Sequence, residues 1–224
     1  MRQIAFSLAL VLMCALPVAW AQELTTQQVL AKLDEKASSF TTLEAAISQQ
    51  NVSVYGLKDP VMNGKIYMKT TKSSPMTLLD IATPKAQAAT SLIRDGNVTV
   101  YFPASNGYRE TKIDPNAQYL QFLLIGFGAP SKTWTNSYSP AATGRETIDK
   151  VNAVVLELTS VSGTTASFPK VTFWLDPQTW TPIRTRVTKK SKDYVDFTYS
   201  NIKLNKGLAD SVFTLKMPKD ATKL

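Results

Sequence analysis

Residues able to carry out covalent or acid–base chemistry are sparse in this sequence. It has no histidine, and its one cysteine, Cys14, lies inside an apolar run near the start. That excludes Ser-His-Asp and Cys-His nucleophiles, an imidazole base, and zinc held by His or Cys. Carboxylates recur close together as Asp34/Glu35, Glu146/Asp149 and Asp193/Asp196. A general acid–base pair needs two such groups in one pocket, but these stand among Lys, Thr and Ser, as on solvated polar faces. No catalytic residue, metal ligand or cofactor is assigned, and no enzyme activity is expected.

The densest cationic cluster is Arg184, Arg186, Lys189, Lys190 and Lys192. It reads either as a solvated strand edge or as a docking patch for an acidic partner or an anionic membrane. Trp174 and Trp180 precede it in sequence. They read as an exposed aromatic pair at a lipid interface, or as rings packed on the long basic stems. The chain carries 25 Lys+Arg against 17 Asp+Glu, a net charge of +8. With no nucleic-acid-binding motif beside it, this charge suits anionic surfaces better than nucleic acid.

The elements that must position these residues begin with an export signal. Arg2, the apolar run Ile4–Leu16 and Ala19-Trp20-Ala21 predict a signal peptide over residues 1–21, cleaved before Gln22. One domain, residues 22–224, then follows. Met13 before Cys14, where a lipobox needs a small residue, argues against lipidation. Thr25 and Gln28 have capping-box spacing, and Val29, Leu30, Leu33, Ala37 and Phe40 share a helical stripe. After Phe40 the period drops to two. Strands are predicted around Gly64–Lys69, Thr77–Ile81, Ser91–Arg94, Val98–Phe102, Val154–Leu158, Val171–Leu175, Ile183–Val187, Val195–Tyr199 and Phe213–Leu215. Asp95-Gly96, Asp176–Thr179 and Asn205–Gly207 read as turns. One segment departs from this pattern. Asp114-Pro115 is a helix start, followed by apolar residues on nearly all sides and ended by Gly126 and Gly128. Leu120, Leu123, Leu124 and Phe127 share its main face.

The expected fold is therefore mainly β, with about ten strands. A single antiparallel sheet curves into an incomplete barrel around an N-terminal helix and a central helix. One sheet face gathers Ile47, Ile66, Met68, Leu79, Ile81, Val98, Val100, Phe102, Val154, Leu156, Phe173, Val187, Val195 and Phe197. Helices could fill that face, or it could line a cavity for acyl chains, whose burial is worth about 0.8 kcal/mol per CH₂. The central helix would then be core or lid.

Several stretches resemble the outer-membrane lipoprotein carrier (LolA) and lipoprotein-sorting family. They are Gly64–Lys69, Ile93-Arg-Asp-Gly-Asn-Val-Thr-Val-Tyr-Phe-Pro103, the Leu120–Phe127 helix, Phe173-Trp-Leu-Asp-Pro-Gln-Thr179 and Phe213–Pro218. The resemblance implies an unclosed barrel of about eleven strands, with the apolar face as acyl-chain lining and Leu120, Leu123, Leu124 and Phe127 in the lid. It implies a monomeric periplasmic carrier without a cofactor. Cargo would pass from an inner-membrane ABC-type release complex to an outer-membrane receptor. A regulatory module sensing mislocalised lipoproteins on the same scaffold is the alternative. The family pattern has an arginine directly after the strand lysine, where it holds the lid shut. Here Thr70 follows Lys69. Either another group latches the lid, or cargo and release differ.

Overall fold

A computed structural model describes residues 23–71, 75–112, 122, 124–162 and 168–224. The predicted signal peptide and the Asp114-Pro115 helix start lie outside them. The chain opens with α1 (Thr26–Ser39), capped as the sequence predicts. Thr25 Oγ1 accepts the Gln28 N–H at 3.3 Å, and Gln28 Oε1 accepts the Thr25 N–H at 2.8 Å. Val29 and Leu33, one turn apart, are buried against the sheet.

Two antiparallel meanders follow. The first is β1 (Thr42–Val52), β2 (Met62–Lys69), β3 (Met76–Thr83), β4 (Ala89–Arg94), β5 (Asn97–Phe102) and β6 (Gly107–Lys112). The second is β7 (Tyr138–Ile148), β8 (Val151–Ser160), β9 (Lys170–Leu175), β10 (Pro182–Thr188) and β11 (Tyr194–Leu204). A short β12 (Thr222–Lys223) lies parallel to β6. The strand order is β12-β6-β5-β4-β3-β2-β1-β11-β10-β9-β8-β7, one sheet whose two edges do not pair. The unclosed single sheet meets the expectation, with twelve strands in place of ten or eleven.

Local chemistry explains the turns. Asp95 and Gly96 both have positive φ, 49° and 73°, which matches the tight hairpin turn between β4 and β5. Gly64 is required for a different reason. A Cβ there would stand 2.0 Å from the Asp80 carbonyl oxygen on β3. One expected strand is absent. Phe213 ends a 3-10 turn, Asp210–Phe213, and no strand runs through Phe213-Thr-Leu215. Its ring is buried with Met76 and Leu78 on the sheet's outer face. Burial of one large ring decides the local backbone here, and three alternating residues carry too weak a signal to oppose it.

Candidate functional site

The sheet face that carries α1 holds the main core. The predicted lining residues Ile47, Ile66, Met68, Ile81, Val154, Leu156, Phe173, Val187, Val195 and Phe197 are all buried in it, and Leu79 packs against it half-buried. They meet Val29 and Leu33 of α1, together with Phe122, Ile125, Phe127 and Trp134 from the segment before β7. Cross-strand register continues the same face onto β4 and β5, as Leu79 opposes Ser91 and Ser91 opposes Val100. There Ile93, Val98, Val100 and Phe102 are only half-buried, and none belongs to the core cluster. The predicted lining thus divides into a packed part over β8–β11 and β1–β3 and a half-covered apolar strip over β4 and β5. Arg109 of β6 borders the strip, its guanidinium 5.8 Å from the Phe102 ring centre. Among the described residues Arg109 makes no salt bridge.

Of the predicted lid residues, Leu120 and Leu123 lie outside the described residues. Phe122 and Leu124 are helical, Leu124 packs against the core, and Phe127 is buried edge-on to Tyr199, ring centres 5.5 Å apart. Phe122 meets Tyr138 and Phe168 edge-on at 5.1 and 5.6 Å. Burial pushes the Tyr138 hydroxyl above its ordinary pKa, and the hydroxyl donates to the Phe168 carbonyl at 3.0 Å. Gly126 turns the chain at φ 80°, and a Cβ there would stand 2.5 Å from Pro182 Cδ.

The segment is fastened to α1 by Asp34, whose neighbours in sequence predict a solvated face. Its Oδ1 accepts the Ser131 N–H at 2.5 Å, and its Oδ2 accepts the Ser131 hydroxyl at 2.7 Å. Thr70 sits elsewhere, donating its hydroxyl to the Phe40 carbonyl at the end of α1. Two polar side-chain atoms, Trp134 Nε1 and Thr185 Oγ1, are buried with no hydrogen-bond partner among the described residues.

The cationic patch divides as well. Asp196, on β11 opposite Arg186, accepts from Arg186 Nε at 2.8 Å and Nη2 at 2.9 Å, and from Arg184 Nη2 at 2.5 Å. Burial alone would raise the Asp196 carboxyl. The hydrogen bonds from Arg186 and Arg184 outweigh it and hold the pKa below the ordinary aspartate value. The bond to Asp196 raises Arg186 in turn. Arg184 lies over the Trp174 ring at 4.8 Å and Arg186 over Tyr194 at 3.9 Å. Trp174 Nε1 donates to Glu146 Oε2 at 2.6 Å. The two arginines are therefore built into the outer face, while Lys189, Lys190 and Lys192 stand exposed in the β10–β11 turn. The expectation of solvated carboxylates fails for Asp196, whereas Glu146 stays exposed while it accepts from Trp174. Trp174 and Trp180 are buried, which settles the aromatic pair in favour of packing. No spacing rule could have found this network, because strand register assembles it.

Against known proteins the likeness is one of fold. No family model matches the sequence, and no curated protein matches it. An uncharacterized conserved protein from Thermus thermophilus matches with TM-score 0.57 at 13% identity, over 88% of this chain and 97% of that one. MucB, in the MucA/MucB complex of Pseudomonas aeruginosa, matches with TM-score 0.50 at 12% identity, over 85% of this chain and 61% of that one. A LolA superfamily protein from Nitrosomonas europaea matches with TM-score 0.41 at 18% identity, over 86% and 98%. The fold is the one shared with the Thermus protein and MucB. An unclosed sheet with one apolar face needs a covering over that face, and here α1 and the segment before β7 supply part of it.

Proposed function

We propose that this protein is a periplasmic carrier that shields acyl chains of lipoproteins or related lipids. The observation that carries the reading is the half-covered strip Ile93, Val98, Val100 and Phe102, continuous with a packed apolar core. Acyl chains laid along that strip gain burial, and the gain grows as the segment 122–134 gives way to extend the groove. Arg109 at its border suits the anionic or carbonyl-rich end of the cargo. Trp134 Nε1 and Thr185 Oγ1, without partners among the described residues, suit ester or amide carbonyls deeper in.

In this reading residues 1–21 direct export. Cargo arrives from an inner-membrane ABC-type complex and leaves to an outer-membrane receptor, each site only modestly tighter than the last. No bond is made or broken. The likeness of fold to MucB, solved in complex with MucA, favours a second reading, a regulatory module that binds a signalling protein.

Native purification followed by mass spectrometry of co-eluting lipid tests both. Acylated peptides are the expected load, reduced roughly tenfold by Val100→Asp or Phe102→Asp, each of which puts a charge on the strip. Phospholipid alone would make the protein a general lipid shuttle. A lipid-free protein holding a signalling partner would refute the carrier and favour regulation.

A further inference from the structure

We propose that the β1–β2 loop, residues 53–61, together with the β10–β11 turn forms a tip that docks on an anionic lipid surface. Seven large apolar side chains are exposed among the described residues, and four of them fall in this loop: Val54 at 48%, Tyr55 at 88%, Leu57 at 73% and Val61 at 41%. The loop is held in shape. Ser53 N–H donates to the Leu57 carbonyl at 2.8 Å, Gly56 N–H to the Ser53 carbonyl at 2.9 Å, and Leu57 N–H to Ser53 Oγ at 3.1 Å. A Cβ on Gly56 would meet nothing within 4 Å, which places the turn at an open extremity. Exposed apolar side chains on an ordered turn mark an interaction site.

The partner's chemistry follows from the neighbouring turn. Val52 of β1 pairs with Tyr194 of β11, and the Val54 N–H donates to Asp193 Oδ1 at 2.8 Å. The apolar loop and the lysine turn therefore adjoin at one end of the sheet. Lys58, Lys189, Lys190 and Lys192 are exposed there, and none makes a salt bridge among the described residues. The two acids of the tip are engaged within it. Asp193 binds Val54 and Ser191, and Asp59 accepts from Asn51 Nδ2 at 3.1 Å. Tyrosine and leucine beside exposed ammonium groups match a lipid interface, where apolar side chains enter the acyl boundary and lysines stay among phosphates. No helix among the described residues is long and apolar enough to cross a membrane. The tip is separate from the strip on β4 and β5, and docking extends the carrier reading without depending on it.

Flotation with protein-free vesicles tests the proposal. The purified protein should float with phosphatidylcholine vesicles containing about 30% phosphatidylglycerol, but not with phosphatidylcholine alone, and should release in ~0.5 M salt. The double substitution Tyr55→Ser/Leu57→Ser should lower the bound fraction roughly tenfold. Lys189→Gln/Lys190→Gln/Lys192→Gln should lower it by about as much and flatten the salt dependence. Melting curves matching the parent confirm that these surface variants fold. As a gain-of-signal variant, Tyr55→Trp should shift its emission to the blue on phosphatidylglycerol vesicles. Failure to bind those vesicles overturns the proposal, as does binding that ignores Tyr55→Ser/Leu57→Ser. Binding to native membranes but not to protein-free vesicles would assign the tip to a protein receptor and equally overturn it.

Discussion

Replacing Asp196 by asparagine should destabilise the fold by about 2 kcal/mol, a figure set by the exposure of the groups it leaves behind. The carboxylate side chain is 16% exposed and accepts three charge-assisted hydrogen bonds. Breaking a fully buried pair costs about 3–5 kcal/mol, whereas a surface pair is worth about 0–1. Arg184 and Arg186, 24% and 29% exposed, keep partial access to water, which places the cost between those limits. In a domain of this size the melting temperature should fall by roughly 4–8 °C. The pH dependence has a definite sign. The Asp196 pKa is lowered in the folded state, so its contribution is present above the unfolded value, about 3.9, and is lost as pH falls through the folded value. Urea melts of parent and Asp196→Asn should therefore begin to approach one another below about pH 4 and meet only below the folded value. Adding Arg186→Met to Asp196→Asn should recover part of the loss, since the pair is then removed together. Equal stability of Asp196→Asn and parent at pH 7 would refute the buried-network account.

Gly64→Ala should cost about 3 kcal/mol or prevent folding, because the Cβ would strike the Asp80 backbone; a urea titration measures it. Phe213→Ala should cost about 3 kcal/mol by emptying the outer cluster around Met76 and Leu78, measured by calorimetry. Asp34→Ala should loosen residues 122–134 from α1, seen as faster amide exchange there while β8 and β9 keep their protection. If that segment gates the strip, Asp34→Ala should also take up a fluorescent fatty acid faster.

Much of the fold was legible where one face of a strand is apolar. Ile66 and Met68, or Val98, Val100 and Phe102, alternate plainly, and Asp95-Gly96 marks its own turn. Strand β7 was not legible. It is an edge strand in which Pro140 and Gly144 interrupt the pattern, and its register slips between Ala142 and Gly144. The apolar composition of the site could be read, but its coverage could not. Whether Leu156 or Val100 is the more buried depends on which strands lie beneath α1, a tertiary fact. Asp34 carried no signal either, because its partner Ser131 is close only after the chain has crossed the first meander.

The seam between β1 and β11 sets the order of assembly. Ile47 faces Tyr199 across it, although almost the whole sheet is spelled out between them. As the chain emerges from the ribosome or through a translocon, β1 to β6 can pair with their neighbours at once, but one long edge of β1 must wait for the final long strand. Until then the greasy side of a six-strand fragment stands open, vulnerable to aggregation and available to holding chaperones. Such late, long-range closure predicts slow folding with a populated half-built intermediate.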